Sequence, residues 1–220
     1  MLNAYGRQMT ESEVAEGVHR QFVGGLWEPV GHRQFEFLVE RGLKPSQRLL
    51  DVGCGCLRGG IHFVRYLDPG NYYGIDVNAS LIQAAERFEL PAAGLTDRCP
   101  HLLVDGQFTF TRFATTFPVA IALSVFTHLP ANSIERCLVR LAEVIEPGGR
   151  FYASYFESPR PHHVEPLAHP GGVRTHCDAD PFHYHFSLFP FLIEGLPWSV
   201  HNLGDWQHPR SQHMLEFTRK

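Results

Sequence analysis

Three glycines carry the first chemical signal. Gly53, Gly55 and Gly59 sit in the stretch Leu49-Leu50-Asp51-Val52-Gly53-Cys54-Gly55-Cys56-Leu57-Arg58-Gly59-Gly60. Glycine has no Cβ, so its backbone can approach a ligand closely and turn through positive φ. An apolar run that feeds such a turn at the start of a helix is how an α/β protein offers backbone N–H groups to a nucleotide-like ligand. The spacing here is G-x-G-x-x-x-G, whereas the dinucleotide fingerprint would need its third glycine at Arg58. About twenty residues further on, Asp76 closes the next apolar run, where an acid can accept hydrogen bonds from ribose hydroxyls.

A second chemical signal lies late in the chain. Residues 157–185 hold His162, His163, Glu165, His169, His176, Asp178, Asp180, His183 and His185, out of fourteen histidines in all. His176, Asp178 and the pair His183-x-His185 could surround a metal or a polar acceptor. A His-rich surface loop is the plainer reading. No HExxH and no tight Cys/His set occurs, so no metal is expected. The five cysteines are odd in number and form no CxxC pair, which suits reduced thiols. Cys54 and Cys56 read as small residues tolerated in a tight loop.

The elements that would position these groups alternate. Thr10 to Glu13 resembles a capped helix start, and Val14, Val18 and Phe22 then recur at helical spacing. Gly24-Gly25 ends that helix. A second helix begins near Glu28-Pro29, carries Phe35, Leu38 and Val39 on one face, and stops at Gly42. Strands are expected over 48–52, 72–76, 102–104, 117–124 and 150–156. Helices are expected over 57–67, 79–90, from Pro130 to the stop at Pro147-Gly148-Gly149, and over 186–195. Two last strands, 199–204 and 214–218, have a short link and should run antiparallel. The alternation predicts one doubly wound, mainly parallel, seven-stranded α/β sheet with an antiparallel C-terminal hairpin strand and N-terminal helices.

The totals bound the partners. Net charge is −4, and charged residues make up 19% of 220. No basic run exists, so nucleic acid is not expected. No apolar stretch approaches the ~20 residues that span a bilayer, and the N-terminus has no signal-peptide core, so a soluble cytoplasmic protein is expected without membrane partners. Nothing fixes the oligomeric state.

Four stretches, in order, resemble the motifs of class I (Rossmann-like) S-adenosylmethionine-dependent methyltransferases. They are Leu50-Asp51-Val52-Gly53-Cys54-Gly55, Gly74-Ile75-Asp76-Val77-Asn78, Leu123-Ser124-Val125-Phe126-Thr127-His128-Leu129 and Ile145-Glu146-Pro147-Gly148-Gly149-Arg150-Phe151. The resemblance covers roughly residues 45–156, and the closing hairpin from Gly204 to Phe217 also resembles one subgroup. It implies S-adenosylmethionine as cofactor. Gly53 and Gly55, with Cys54 and Gly59 in the same loop, would lie against its amino acid end. Asp51 would fix the loop backbone or the cofactor's amino group, and Asp76 with Val77 would meet the ribose. Asp105, Gly106 and Phe108 would flank the adenine, and Ser124 and Val125 would lie beneath the sulfonium. Arg58 departs from the small or polar residues usual there, and would either pair with the cofactor's carboxylate or cap the helix.

The same resemblance implies one methyltransferase domain over 1–220: an N-terminal cap (1–45), a cofactor-binding core (46–156), and an acceptor-covering segment with the hairpin (157–220). The cap is either a packing element or a lid. The expected activity is methyl transfer to an oxygen or nitrogen of a small-molecule acceptor. His128, just past the fourth strand, is the candidate base or a structural histidine. Trp27, His32, His162, His183 and His185 are candidate acceptor contacts. A cofactor-binding module without catalysis, partnering another protein, would keep the same loop. A NAD-dependent oxidoreductase is disfavoured by the glycine spacing and by the lack of a second nucleotide-binding half.

Overall fold

A computed structural model describes residues 4–220; residues 1–3 of the expected N-terminal cap lie outside the described residues. The chain divides into two compact units, one reaching to Thr109 and one from Phe110 to Lys220.

The first unit is built on three parallel strands, β1 (Leu49–Val52), β2 (Tyr72–Asp76) and β3 (His101–Val104). Leu49 pairs with Tyr72 and Val52 with Ile75; Tyr73 pairs with His101 and Asp76 with Val104. All four β1 residues are buried, as a strand covered on both faces requires.

Three helices precede β1: α1 (Glu11–Ala15), α2 (Val18–Phe22) and α3 (Trp27–Glu40). Thr10 and Glu13 form the capping box that starts α1. The single helix expected over Val14, Val18 and Phe22 is broken at Gly17, whose φ of 79° is left-handed. The buried stripe of α3 is Val30, Gln34, Phe37 and Leu38; Val39, expected on that face, is exposed. Helix α4 (Gly60–Tyr66) starts three residues later than expected, because Leu57 at φ 69° belongs to the turn. Helix α5 (Ala79–Ala84) runs on through a π turn (Ala85–Glu89) into α6 (Leu90–Ala92).

The second unit is organised on the long β5 (Ile145–Glu157). β4 (Phe117–Ala122) runs parallel to it, and β10 (His213–Arg219) runs antiparallel on its other side. β9 (Trp198–Asp205) pairs antiparallel with β10, so the expected hairpin is present. Helix α7 (Ala131–Leu141) buries Ile134, Cys137, Leu138 and Leu141. It stops well before Pro147-Gly148-Gly149, which lies instead inside β5. There a register shift carries the pairing from Phe117–Ile145 to Val119–Arg150.

The core is aromatic. Phe126 stacks on Phe189 at 6.2 Å, and Phe151 on Phe217 at 5.6 Å. The His-rich segment, whose plainer reading is a surface loop, contains three short strands, β6 (Leu167–Ala168), β7 (Arg174–Thr175) and β8 (His183–Tyr184). β8 extends the sheet beside the end of β5. Helix α8 (Leu188–Leu192) follows.

The fold class is therefore a mainly parallel α/β sheet with an antiparallel C-terminal strand pair and N-terminal helices. No helix among the described residues is long and apolar enough to cross a membrane.

Candidate functional site

The glycine loop hangs from the end of β2. Gly53 (φ 72°) and Gly55 (φ 55°) both need the left-handed region that glycine adopts without strain. The N–H groups of Gly53 and Cys54 donate to the Ile75 carbonyl at 2.7 and 3.1 Å. The Gly55 N–H donates to Asp76 Oδ2 at 2.9 Å, and the Asn78 N–H to Asp76 Oδ1 at 2.8 Å. Burial pushes the Asp76 carboxyl up from its ordinary value, and the N–H donors of Asn78 and Gly55 work against that shift. A carboxylate offers about four lone-pair sites, so Asp76 keeps capacity for hydroxyl donors beyond those two bonds. Gly53 is exposed between buried Val52 and Cys54, which leaves the loop backbone open at that point.

The ends of β2 and β3 converge beside it. The Asp105 N–H donates to the Asp76 carbonyl at 2.9 Å, and Asp105 Oδ1 accepts from Gln107 and Thr109 N–H. A Cβ on Gly106 would stand 2.9 Å from the Val77 side chain. The structure thus brings Asp76, Val77, Asp105 and Gly106 together, with Phe108 (φ 60°) leaving that turn.

Other loop residues face inward. Asp51 is 3% exposed and accepts a 2.7 Å hydrogen bond from the Tyr72 hydroxyl. Burial lifts its pKa to about 7, with the Tyr72 bond opposing. The thiols of Cys54 and Cys56 are likewise pushed up by burial. The space beside Gly59 is taken by the Gln34 amide of α3, and a Cβ on Gly31 would collide with the Arg58 carbonyl.

The N-terminal segment is fastened to this loop. Arg58 donates to the carbonyls of Val23 and Gly25, both at 3.0 Å. Asn78 caps α5 through its carbonyl oxygen, while its amide donates to the Tyr5 and Arg7 carbonyls at 2.7 and 2.8 Å. The Met9 N–H reaches Ser80 Oγ at 3.0 Å. Glu89 accepts from His19 and from both Arg20 donors at 2.7 Å. Burial alone would raise Glu89, but the Arg20 and His19 hydrogen bonds outweigh it and hold the carboxyl below its ordinary value. Trp27 lies under the Arg20 guanidinium at 4.6 Å and packs on the cluster of Met9, Val14, Cys56, Leu81 and Ala84. His32 is paired with Glu36 on the outside of α3 and edge-on to His62; its partners are not loop residues.

In the second unit, Ser124 follows β4 with φ 56°. Its N–H donates to Ser154 Oγ at 2.7 Å, and both serine hydroxyls donate to Gln212 Oε1. The next turn carries Val125 and His128. His128 Nδ1 is hydrogen-bonded to Asp180 Oδ1, and both side chains are partly exposed. The Phe182 N–H donates to the Thr127 carbonyl at 2.7 Å, and the Tyr184 hydroxyl to the Leu129 carbonyl at 2.6 Å. The His-rich segment is thus laid along this turn.

His162, His183 and His185 line a common cavity in that segment. No group of three or more His, Cys, Asp or Glu side chains able to hold a metal occurs among the described residues. Sequence reasoning passed over Gln212 and Ser154, which carry no local signal. Asn78, named only as the end of a motif, has a further role that its place just before α5 signals, that of N-cap.

A strand, a glycine turn held by the next strand's carboxylate, and an antiparallel closing pair define the class I, Rossmann-like S-adenosylmethionine-dependent methyltransferase fold. Residues 50–151 match the family described as "Methyltransferase domain". Among curated proteins it is similar to 24-methylenesterol C-methyltransferase 2 of Oryza sativa subsp. japonica, 31% identical over 132 residues. That match takes in 56% of this chain and 34% of the rice protein, so the chain spans about a third of its relative. Among solved structures, the CcbJ methyltransferase from Streptomyces caelestis superposes with a TM-score of 0.72 at 11% identity, over 99% of this chain and 98% of that one. Magnesium protoporphyrin IX methyltransferase (ChlM) from Synechocystis PCC 6803 with bound SAM gives 0.61 at 16% identity, over 99% and 88%.

Proposed function

We propose that this chain moves a methyl group from S-adenosylmethionine to an oxygen or nitrogen of a small-molecule acceptor. The observation that carries the reading is the Asp76 carboxylate fastened to the Gly55 N–H at the tip of the glycine loop. The residues fit the cofactor: an open loop backbone at Gly53, residual acceptor capacity on Asp76, and a turn at Asp105 and Gly106 beside it. In this reading Gly53, Gly55 and their neighbours hold the amino acid end. Asp76 and Val77 hold the ribose, and Asp105, Gly106 and Phe108 the adenine.

S-adenosylmethionine supplies an electrophilic methyl on sulfur, so a bond from the acceptor to that carbon forms as the carbon–sulfur bond breaks and sulfur keeps the pair. The chain's contribution is alignment and proton removal. His128 takes the acceptor's proton. Asp180 fixes its ring orientation and stabilises the imidazolium that results. A carbon acceptor, as in the name of the rice relative, is the second reading, favoured by the 31% identity to it.

Calorimetric titration with S-adenosylmethionine, its demethylated product, NAD and NADP tests the cofactor. Binding of the first two alone is expected. Binding of a nicotinamide cofactor alone rejects the proposal.

A further inference from the structure

Residues between the end of β5 and α8 line a cavity of ≈ 400 Å³. That is the size of a small-molecule site, which runs from about 300 to 1,000 Å³. His183, 2% exposed, contributes to its wall. Its Nδ1 lies 2.9 Å from Thr175 Oγ1, which lies 2.9 Å from His169 Nε2. Its Nε2 is buried with no hydrogen-bond partner, and so are both ring nitrogens of His163. The two rings are 5.6 Å apart. Buried nitrogens of this kind are normally paired, and these three belong to two residues that line one cavity.

The chemistry of a ligand's polar group there follows from the wall. When the Thr175 hydroxyl donates to His183 Nδ1, a neutral His183 carries its proton on Nε2. Burial pushes the His183 pKa down, against the nearby main chain of His163 and Thr175, and favours that neutral ring. Arg160 adds a positive charge, and none of the described residues lining the cavity is acidic. Val164, Leu188 and Phe191 supply an apolar side, with Val164 and Phe191 68% and 69% exposed.

We infer that this cavity binds a small apolar or aromatic molecule by its carboxylate, held by His163, His183 and Arg160. The planar pair of carboxylate oxygens suits a guanidinium and two imidazole N–H donors. The methyltransferase reading enters only in taking the bound acid to be the methyl acceptor.

The test uses the full chain, with imidazole proton NMR following titrations of benzoate, 4-hydroxybenzoate and cinnamate. Benzamide, cinnamamide and inorganic phosphate serve as comparisons. At least one carboxylate should shift the His163 and His183 resonances saturably. Its amide and phosphate should bind about tenfold or more weakly. Arg160→Ala and His163→Gln should each weaken the carboxylate by roughly tenfold or more; Arg160 and His163 are less buried than His183, and the folded spectrum checks each variant. Failure of every carboxylate to saturate, equal binding of amide or phosphate, or an unchanged affinity in both variants overturns the inference. A parallel titration with S-adenosylmethionine keeps the two readings apart. Cofactor binding without carboxylate binding removes this site alone, and the reverse removes the methyltransferase reading alone.

Discussion

The glycine loop and the His-rich segment solve opposite problems. Around Gly53–Asp76 the polar work is done by backbone N–H groups, and one carboxylate serves the loop and the following turn together. Nearly every neighbour is buried and tied, down to the Gln34 amide beside Gly59. Around residues 158–185 the polar groups are side chains, mostly imidazoles, and three ring nitrogens there have no partner. A site made of backbone tolerates little change in shape but much in side-chain identity. A site made of side chains is the reverse. That division suits an enzyme with one fixed donor and a particular acceptor.

The largest effect that would break this comparison is on turnover. His128→Asn should lower kcat by roughly 10²- to 10⁴-fold while leaving cofactor affinity unchanged. Asp180→Ala should cost less, because it disturbs orientation and leaves the base in place. Initial rates beside calorimetry separate the two parameters, and a loss confined to cofactor binding would remove His128 as the base.

Asp76→Ala should do the opposite. Charge-assisted hydrogen bonds are worth about 1.5–3 kcal/mol each, so cofactor affinity should fall roughly tenfold to a few hundredfold. Unchanged affinity in a folded variant would detach Asp76 from the ribose.

Gly31→Ala asks how tightly α3 is held against the loop. The added methyl meets the Arg58 backbone rather than a flexible side chain, so a loss of about 1–3 kcal/mol in denaturant unfolding is expected. A neutral result would mean that the helix and loop can separate freely.

The smallest effect concerns pH. Asp51 has a folded pKa of about 7, above its ordinary value near 3.8. Between those values the folded state binds more protons than the unfolded one, so this group's contribution falls as pH rises from about 4 to about 7 and is flat above. Asp51→Asn keeps an acceptor for Tyr72 without the charge. Its melting temperature should gain on wild type as pH rises from 5 to 8, and a constant difference would contradict the shifted pKa.

How much could be read beforehand follows the same division. Backbone features have local signatures, so Gly53, Gly55, Asp76, the Thr10 cap and the closing strand pair were legible. The break at Gly17 was not, because apolar spacing continues across it and a glycine inside a helical pattern is only a weak stop. Nor was the placement of Pro147-Gly148-Gly149 inside β5, where a register shift absorbs residues that look like a helix terminator. Contacts made at long sequence separation left no trace at all. Gln212 meets Ser124 and Ser154 from 88 and 58 residues away, and Asp180 meets His128 across 52. His32 looked like a site residue by type alone, and its exposed pairing with Glu36 is what an ordinary helix surface provides.

Asn78 gives the amino-terminal helices a thermodynamic role. One side chain caps α5 with its oxygen and holds the Tyr5 and Arg7 carbonyls with its nitrogen, two residues after the carboxylate that binds the loop. If the docked arrangement is the one that accepts cofactor, the apparent dissociation constant is the intrinsic one divided by the docked fraction. By linkage, cofactor then protects the segment by the same factor that docking improves affinity. Limited proteolysis between Thr10 and Gly25, with and without S-adenosylmethionine, measures that factor directly, and equal cleavage rates would uncouple the two.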